Sequence, residues 1–284
     1  MMQSKYWWRS LQDKLVVGLA ALATFLVLVP LVAIFGYLIY KGIGSLNWNF
    51  LTQIPKPVGE TGGGMANAMV GSGLILLIAS LIGVPVGIGT GVYLAEFGKK
   101  RFGYLIRFTA DVLNGVPSIV IGIVAWSLVV VRQGHFSAFA GGVALGIMMV
   151  PIISRSTEEM LLMVPQSLRE AAWGLGIPQW RTTLSITLRT ASSGIITAVM
   201  LSFARVAGET APLLFTALGN QFWNLNVTKP TAALPLQIYT YANSPYDDWY
   251  RQAWAGALIL IILIVVSMSL VRMVASRGVF KGGN

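Results

Sequence analysis

Two opposite charges stand four residues apart inside an apolar stretch, Arg205 and Glu209, within the run Ser202-Phe-Ala-Arg-Val-Ala-Gly-Glu-Thr-Ala-Pro-Leu-Leu-Phe-Thr216. A guanidinium offers paired donors in a planar fork, which suits the oxygens of a passing oxyanion. If the stretch is one helix, Ser202, Arg205, Glu209 and Thr216 recur at intervals of three, four and seven and form a polar stripe that lines a pathway. The other reading is structural: Arg205 and Glu209 neutralise each other between packed helices, because a lone arginine at mid-membrane costs about 2.5–3.5 kcal/mol. Gly208 and Pro212 loosen the helix where a gate would bend.

A second polar set, Asp111, Asn114 and Ser118, shares a face at spacings of three and four, with Gly115 and Pro117 as a weak point. Asp111 also lies four residues from Arg107, so an interfacial ion pair between them stands beside a gating role.

These charges need an apolar scaffold around them. The chain is 55% hydrophobic with a mean hydropathy of +0.72, more apolar surface than a soluble domain of 284 residues could hide. Six stretches are long enough to span a bilayer as helices: Leu15 to Tyr40, Met69 to Ala95, Val112 to Val131, Phe136 to Ile153, Ile195 to Leu218 and Ala253 to Val271. The fourth is the shortest and carries Pro151, a helix-breaking residue, close to its end at Ile153. In the second, Gly83, Gly87 and Gly91 make a smooth strip for close helix packing.

Lys and Arg resist translocation and collect on the cytoplasmic side. With the N-terminus inside, 14 of the 20 basic residues fall on the cytoplasmic side, five fall outside, and Arg205 is the one left within a span. The expected architecture is therefore an all-α integral membrane protein of six transmembrane helices with both termini cytoplasmic. The net charge of +10 reflects this bias, and no soluble domain exists to carry a nucleic-acid patch. The first apolar run is too long for a cleaved signal peptide, and Trp7 and Trp8 are expected at its interface. There are no cysteines, the single His135 sits on a short outer turn, and no phosphate-binding GxxxxGK[ST] loop occurs. Neither a metal site nor a bound cofactor is expected, and ATP with its Mg would have to be held by a separate subunit.

Between the fourth and fifth spans the chain becomes polar, in Pro165-Gln-Ser167-Leu168-Arg-Glu170-Ala171-Ala172-Trp-Gly-Leu175-Gly176. Ser167 and Glu170 have capping-box spacing, and Gly176 offers a left-handed stop, so a helix of about two turns is expected. Leu168, Ala171, Ala172 and Leu175 give it one apolar face for a partner's groove. Pro178 can open a second helix through Trp180, Leu184 and Leu188 into the fifth span.

Glu170, Ala171, Ala172, Gly176, Ile186 and Leu188 resemble the EAA loop of ABC importer membrane subunits, with Arg189 standing where that family has proline. The segment Ala204 to Thr216 is similar to the signature of phosphate importer membrane subunits of the PstA type. So are Asn114-Gly-Val-Pro-Ser-Ile-Val120 and Leu234-Pro-Leu-Gln-Ile-Tyr239. The resemblance implies the type I (MetI-like) permease fold over 65–275, with the coupling loop at 165–189. A first helix and outer loop at 1–64 would precede it, and a cytoplasmic tail at 276–284 would follow.

It also implies a non-enzymatic subunit in a bacterial inner membrane. The partners would be a PstC-type permease as heterodimer, two copies of an ATPase that binds the ATP and Mg, and an outer phosphate-binding protein. Import of sulfate or an amino acid by the same architecture, or ion-coupled secondary transport with Arg205 and Glu209 as the coupling pair, are the alternatives. The last outer loop, Gly219 to Gln252, is dense in aromatic residues suited to an interface, and the Pro- and Gly-rich loop Lys41 to Ala68 is expected to be irregular and mobile.

Overall fold

The computed structural model describes residues 2–98 and 100–280, with the side chains of 2–7, 11 and 274–280 outside the description. The side chains of Lys5, Trp7 and Arg277, together with Lys99 and the last four residues of the tail, therefore lie outside the described residues.

Eleven helices are described: α1 (Met2–Gly42), α2 (Trp48–Thr52), α3 (Ala66–Phe97), α4 (Arg101–Gly115), α5 (Ser118–Gln133), α6 (Ala138–Leu162), α7 (Gln166–Gly174), α8 (Gln179–Ala207), α9 (Ala211–Thr216), α10 (Leu234–Ala242) and α11 (Asp247–Phe280). Helices α1, α3, α6, α8 and α11 are each long and apolar enough to cross a membrane, and the bent pair α4–α5 supplies a sixth candidate crossing. The chain is thus a multi-pass, all-helical membrane protein.

Helices α3 and α6 form the spine. A Cβ placed on Gly83, Gly87 or Gly91 would come within 2.7, 2.7 and 2.5 Å of side-chain atoms of Met149, Ile153 and Thr157. The glycine strip thus lets two backbones approach, where dispersion contacts and closely fitted surfaces replace the missing hydrophobic drive in lipid. Around the spine Ile75, Leu145, Met149, Ile153, Val206 and Leu213 make the central core. Leu161, Val164, Ala191 and Ile195 pack at the end that carries α7, and Phe50, Met65, Leu234, Tyr241 and Trp249 pack at the far end.

Three of the expected spans differ from what is observed. The stretch Val112 to Val131 is broken: α4 and α5 meet at 109° across Val116 and Pro117. Proline disfavours helical geometry in the residue before it, and Val116 is extended (φ −70°, ψ 132°). Asp111 and Asn114 therefore sit on one helix and Ser118 on another. The fourth span does not end at Ile153 but runs on to Leu162, because Ser154, Thr157 and Glu158 beyond it are buried against neighbouring helices rather than lipid. Just beyond the proline, the Ser154 hydroxyl donates to the Pro151 carbonyl (3.1 Å).

The fifth stretch is also interrupted: α8 stops at Ala207, and α9 begins at Ala211. Pro212 would collide with the carbonyl of Gly208 if the helix continued, so the chain breaks ahead of it and Pro212 becomes the second residue of a new helix.

The two loops at the far end are more structured than expected. In 41–68, helix α2 is capped by Asn47, whose side chain accepts from Phe50 N (2.8 Å), and Pro55 bridges Gly63. Gly63, at φ +82°, lies so close to Ile54 and Lys56 that a Cβ would meet backbone at 2.9 Å. In the last loop Tyr241 and Trp249 are buried and stacked at 4.4 Å, so these two serve the chain's own core, while Phe222, Trp223, Tyr239, Tyr246 and Tyr250 stay exposed.

Candidate functional site: the α7 junction and the broken helix

Helix α7 starts two residues earlier than a capping box on Ser167 and Glu170 would place it. Pro165 (φ −55°, ψ 134°) is the N-cap, no side chain caps the helix, and Leu168 N bonds the Pro165 carbonyl at 3.2 Å. Ser167 and Glu170 are consequently inside the helix, and their capping box does not form. Proline's fixed φ already sets the helix start. The end is as expected: Gly176 takes φ +77°, and the amides of Gly176 and Ile177 bond the carbonyls of Trp173 (2.9 Å) and Ala172 (3.1 Å).

The expected apolar face is split. Ala172 is only 3% exposed and packs into the chain itself, whereas Leu168 (41%), Ala171 and Leu175 (81%) face outward. Arg169, 8% exposed, turns inward beside Ala172. Its guanidinium pairs with Glu96 at the end of α3 and donates to the Leu161 carbonyl at the end of α6 (2.9 Å). One side chain thus ties α7 to both helices of the spine. Sequence reasoning did not single out Arg169. The available signal was Glu96, a lone carboxylate closing an apolar span, which in lipid-buried protein demands a partner. Beside the pair a groove of about 370 Å³ opens, lined by Met163, Gln166, Trp173 and Gln179. Trp180 and Leu184, on the first turns of α8, are exposed.

A second ion network lies where α4 crosses α6. Glu158, 3% exposed, accepts from Arg107 Nε (2.6 Å) and from Arg155 Nη1 (2.9 Å), and Arg155 Nε reaches Asp111 (3.1 Å). Arg107 also donates to the carbonyls of Gly98 (2.8 Å) and Leu94 (3.0 Å). The pairing of Arg107 with Asp111 suggested by their spacing is therefore not the one formed. Arg107 is drawn to the buried Glu158, where an unpaired carboxylate would cost far more than at the half-exposed Asp111.

The break after Ala207 separates the expected stripe. Arg205 sits in the last turn of α8, where the helix dipole favours a cation, and its side chain is exposed. Glu209 lies in the interrupted segment and is half-buried; no ion pair joins it to Arg205. Ser202 and Thr216 are fully buried, and Thr216 donates to the Pro212 carbonyl (2.8 Å), so neither shares the exposed face of Arg205. Asn114 is exposed near the end of α4, and Ser118 is half-buried at the start of α5. The two breaks are mechanically linked: a Cβ on Gly122 of α5 would lie 2.7 Å from Pro212 Cα in α9. Among the described residues no three His, Asp or Glu side chains come together as metal ligands.

The sequence profile of the family described as binding-protein-dependent transport system inner membrane component matches residues 83–278. The phosphate transport system permease protein PstA of Yersinia pestis is 42% identical over 276 residues, covering 97% of this chain and 94% of the relative. That of Haemophilus influenzae is 45% identical over 262 residues, 92% and 93% of the two chains. A solved inward-facing structure of the MetNI methionine ABC transporter superimposes with a TM-score of 0.60 at 19% identity, over 78% of this chain and 98% of the other, which speaks for the fold. On these similarities the chain belongs to the binding-protein-dependent transport system inner membrane components, in the group of phosphate transport system permease proteins PstA.

Proposed function

We propose that the chain is the membrane subunit through which an ATP-driven importer carries inorganic phosphate across a bacterial inner membrane, with both termini on the cytoplasmic side. The observation that carries this reading is the identity of 42–45% to PstA permeases along nearly the whole chain. Membership in the family implies an ATPase and a substrate-binding protein as partners, the permease itself being non-enzymatic. The finer assembly is a heterodimer with a PstC-type permease, two ATPase copies that hold ATP and Mg, and an outer phosphate-binding protein.

In this reading the outward face of α7, Leu168, Glu170, Ala171 and Leu175, sits in a cleft of the ATPase, and Ala172 and Gly176 keep its shape. When the ATPase subunits close, displacement of α7 passes by two routes. The Arg169 pair carries it to the ends of α3 and α6, and the turn at Gly176 to Pro178 carries it to α8. Helix α8 is continuous from Gln179 to Ala207, with a π-helical turn at Thr183–Thr187, so a push at Trp180 arrives at Arg205 some 25 residues away.

Arg205, exposed and in no ion pair among the described residues, offers its fork to the phosphate oxygens, while Glu209 in the break repels the anion onward. Ser202, Thr216, Asp111, Asn114 and Ser118 act around this path: Ser202 and Thr216 hold the buried side of the break, and the other three border the α4–α5 bend. Uptake of radiolabelled phosphate, in cells whose only importer contains this chain, tests the proposal. Uptake should stop on ATP depletion, persist with an uncoupler, and be competed by arsenate but not by sulfate. Persistence without ATP, or competition by sulfate, would refute it.

A further inference from the structure

Away from the α7 junction and from Arg205, the end of α1 and the first turns of α11 enclose a cleft of about 560 Å³. Its charged groups are Lys41, Arg251 and Asp248. The Lys41 ammonium lies over the rings of Tyr37 and Tyr40 (5.7 and 5.8 Å) and has no carboxylate partner among the described residues. Arg251 reaches Asp248 only loosely, at 3.6 Å, and is largely exposed. Asp248 accepts from the buried Gln252 Nε2 (2.8 Å) and from Gly62 N (3.3 Å). Gln252 Nε2 also donates to the Gly62 carbonyl (2.9 Å), which leaves Gln252 Oε1 as a buried acceptor with no partner. The cleft therefore carries two cations with spare donors beside a carboxylate.

The cleft lies where polar loops meet apolar helices. Trp254, one turn further along α11, meets Tyr37 edge-on at 5.2 Å and Tyr250 at 6.2 Å, an aromatic grouping of the kind that sits at headgroup level. Beyond it α1 exposes Val32, Ile34 and Phe35, and α11 exposes Ile262 and Leu263. Helix α1 closes on α11 here, where a Cβ on Gly42 would lie 2.9 Å from the Trp254 carbonyl. Along its most apolar window, by contrast, α1 has no buried residue.

We propose that this cleft binds the headgroup of a phosphoethanolamine lipid. The phosphodiester lies between Lys41 and Arg251, the ammonium lies against Asp248, and the acyl chains run along α1 and α11. A phosphate group is the chemistry that a lipid and free inorganic phosphate share, and two cations attract both. Asp248 separates them: a carboxylate in the same cleft repels a small free anion, and an anionic headgroup leaves it unpaired, whereas a zwitterion satisfies both signs. The bound lipid would fasten α1, otherwise held at one end, to the body of the subunit. This inference is independent of the transport reading and of which leaflet the cleft faces.

The full-length chain in its purified complex, examined by native mass spectrometry with dioleoyl phosphatidylethanolamine or dioleoyl phosphatidylglycerol added, tests it. The ethanolamine lipid should be retained about tenfold better than the glycerol lipid, Lys41→Ala with Arg251→Ala should lose it, and Asp248→Asn should remove the preference. Lys41→Arg should retain binding, which separates a lost site from a misfolded chain. Equal retention of the two lipids by the unaltered chain would overturn the proposal. So would displacement of the ethanolamine lipid by millimolar inorganic phosphate, since the cleft would then be a free-phosphate site.

Discussion

Arg169 and Glu96 form an ion pair that is largely removed from solvent, where α7 meets the ends of α3 and α6. Under the proposed coupling, a pair so placed fastens the segment that would dock the ATPase onto the helices of the spine. Removing one member strands the other in an apolar setting, which typically costs about 3–5 kcal/mol. Arg169→Ala should therefore abolish phosphate uptake while the chain still inserts, and Glu96→Gln should do much the same. The exchange Arg169→Glu with Glu96→Arg should recover part of the loss. Normal uptake by either single variant, at equal amounts in the membrane, would remove the pair from the coupling route.

Two neighbouring alanines should behave differently. Ala171 faces outward, so Ala171→Trp should leave the subunit folded and reduce co-purification of the ATPase by filling the contact. Ala172 is buried within the chain, so Ala172→Trp should lower thermal stability of the isolated subunit, overpacking costing about 1–3 kcal/mol. Equal effects of the two changes on ATPase binding, with unchanged melting, would contradict the observed orientation of α7.

Arg205 can be tested by charge and by geometry. With no ion pair to Glu209 in the structure, the double change Arg205→Ala with Glu209→Ala should remain inactive, because the path has lost its paired donors. Arg205→Lys should transport more slowly than the parent, since an ammonium lacks the fork. Assembly of the complex is measured alongside uptake, and normal transport by an assembled double variant would leave Arg205 with a structural role.

Gly87→Leu should separate the spine. Its Cβ alone would lie 2.7 Å from Ile153 Cβ, so the added side chain forces α3 and α6 apart. A lower melting temperature and loss of assembly are expected, whereas Gly89→Leu, which meets nothing within 4 Å, should be tolerated.

Reporter tags placed before Met1 and after Asn284 should both be protected from an external protease, and a tag near Thr231 should be cleaved. Opposite sides for the two ends would reverse the argument from basic-residue distribution.

Much of this molecule is legible in one dimension because a bilayer is a severe solvent. Apolar length marks the helices, and the spacing of Gly83, Gly87 and Gly91 marks the α3–α6 contact, since both follow from local composition and the 3.6-residue repeat. The left-handed stop at Gly176 follows in the same way from the lack of a Cβ, and so does the opening of a helix after Pro178. Periodicity fails where a proline acts on its neighbours. Asp111, Asn114 and Ser118 share a face only on an unbroken helix, and Pro117 and Pro212 break both stretches, which parts Glu209 and Thr216 from the helix that carries Ser202 and Arg205. Only the tertiary structure decides which charges meet, because a long side chain pairs by distance in space. The burial of Glu158 and Glu96 takes Arg107 away from Asp111 and turns Arg169 inward, and no spacing along the chain encodes that choice.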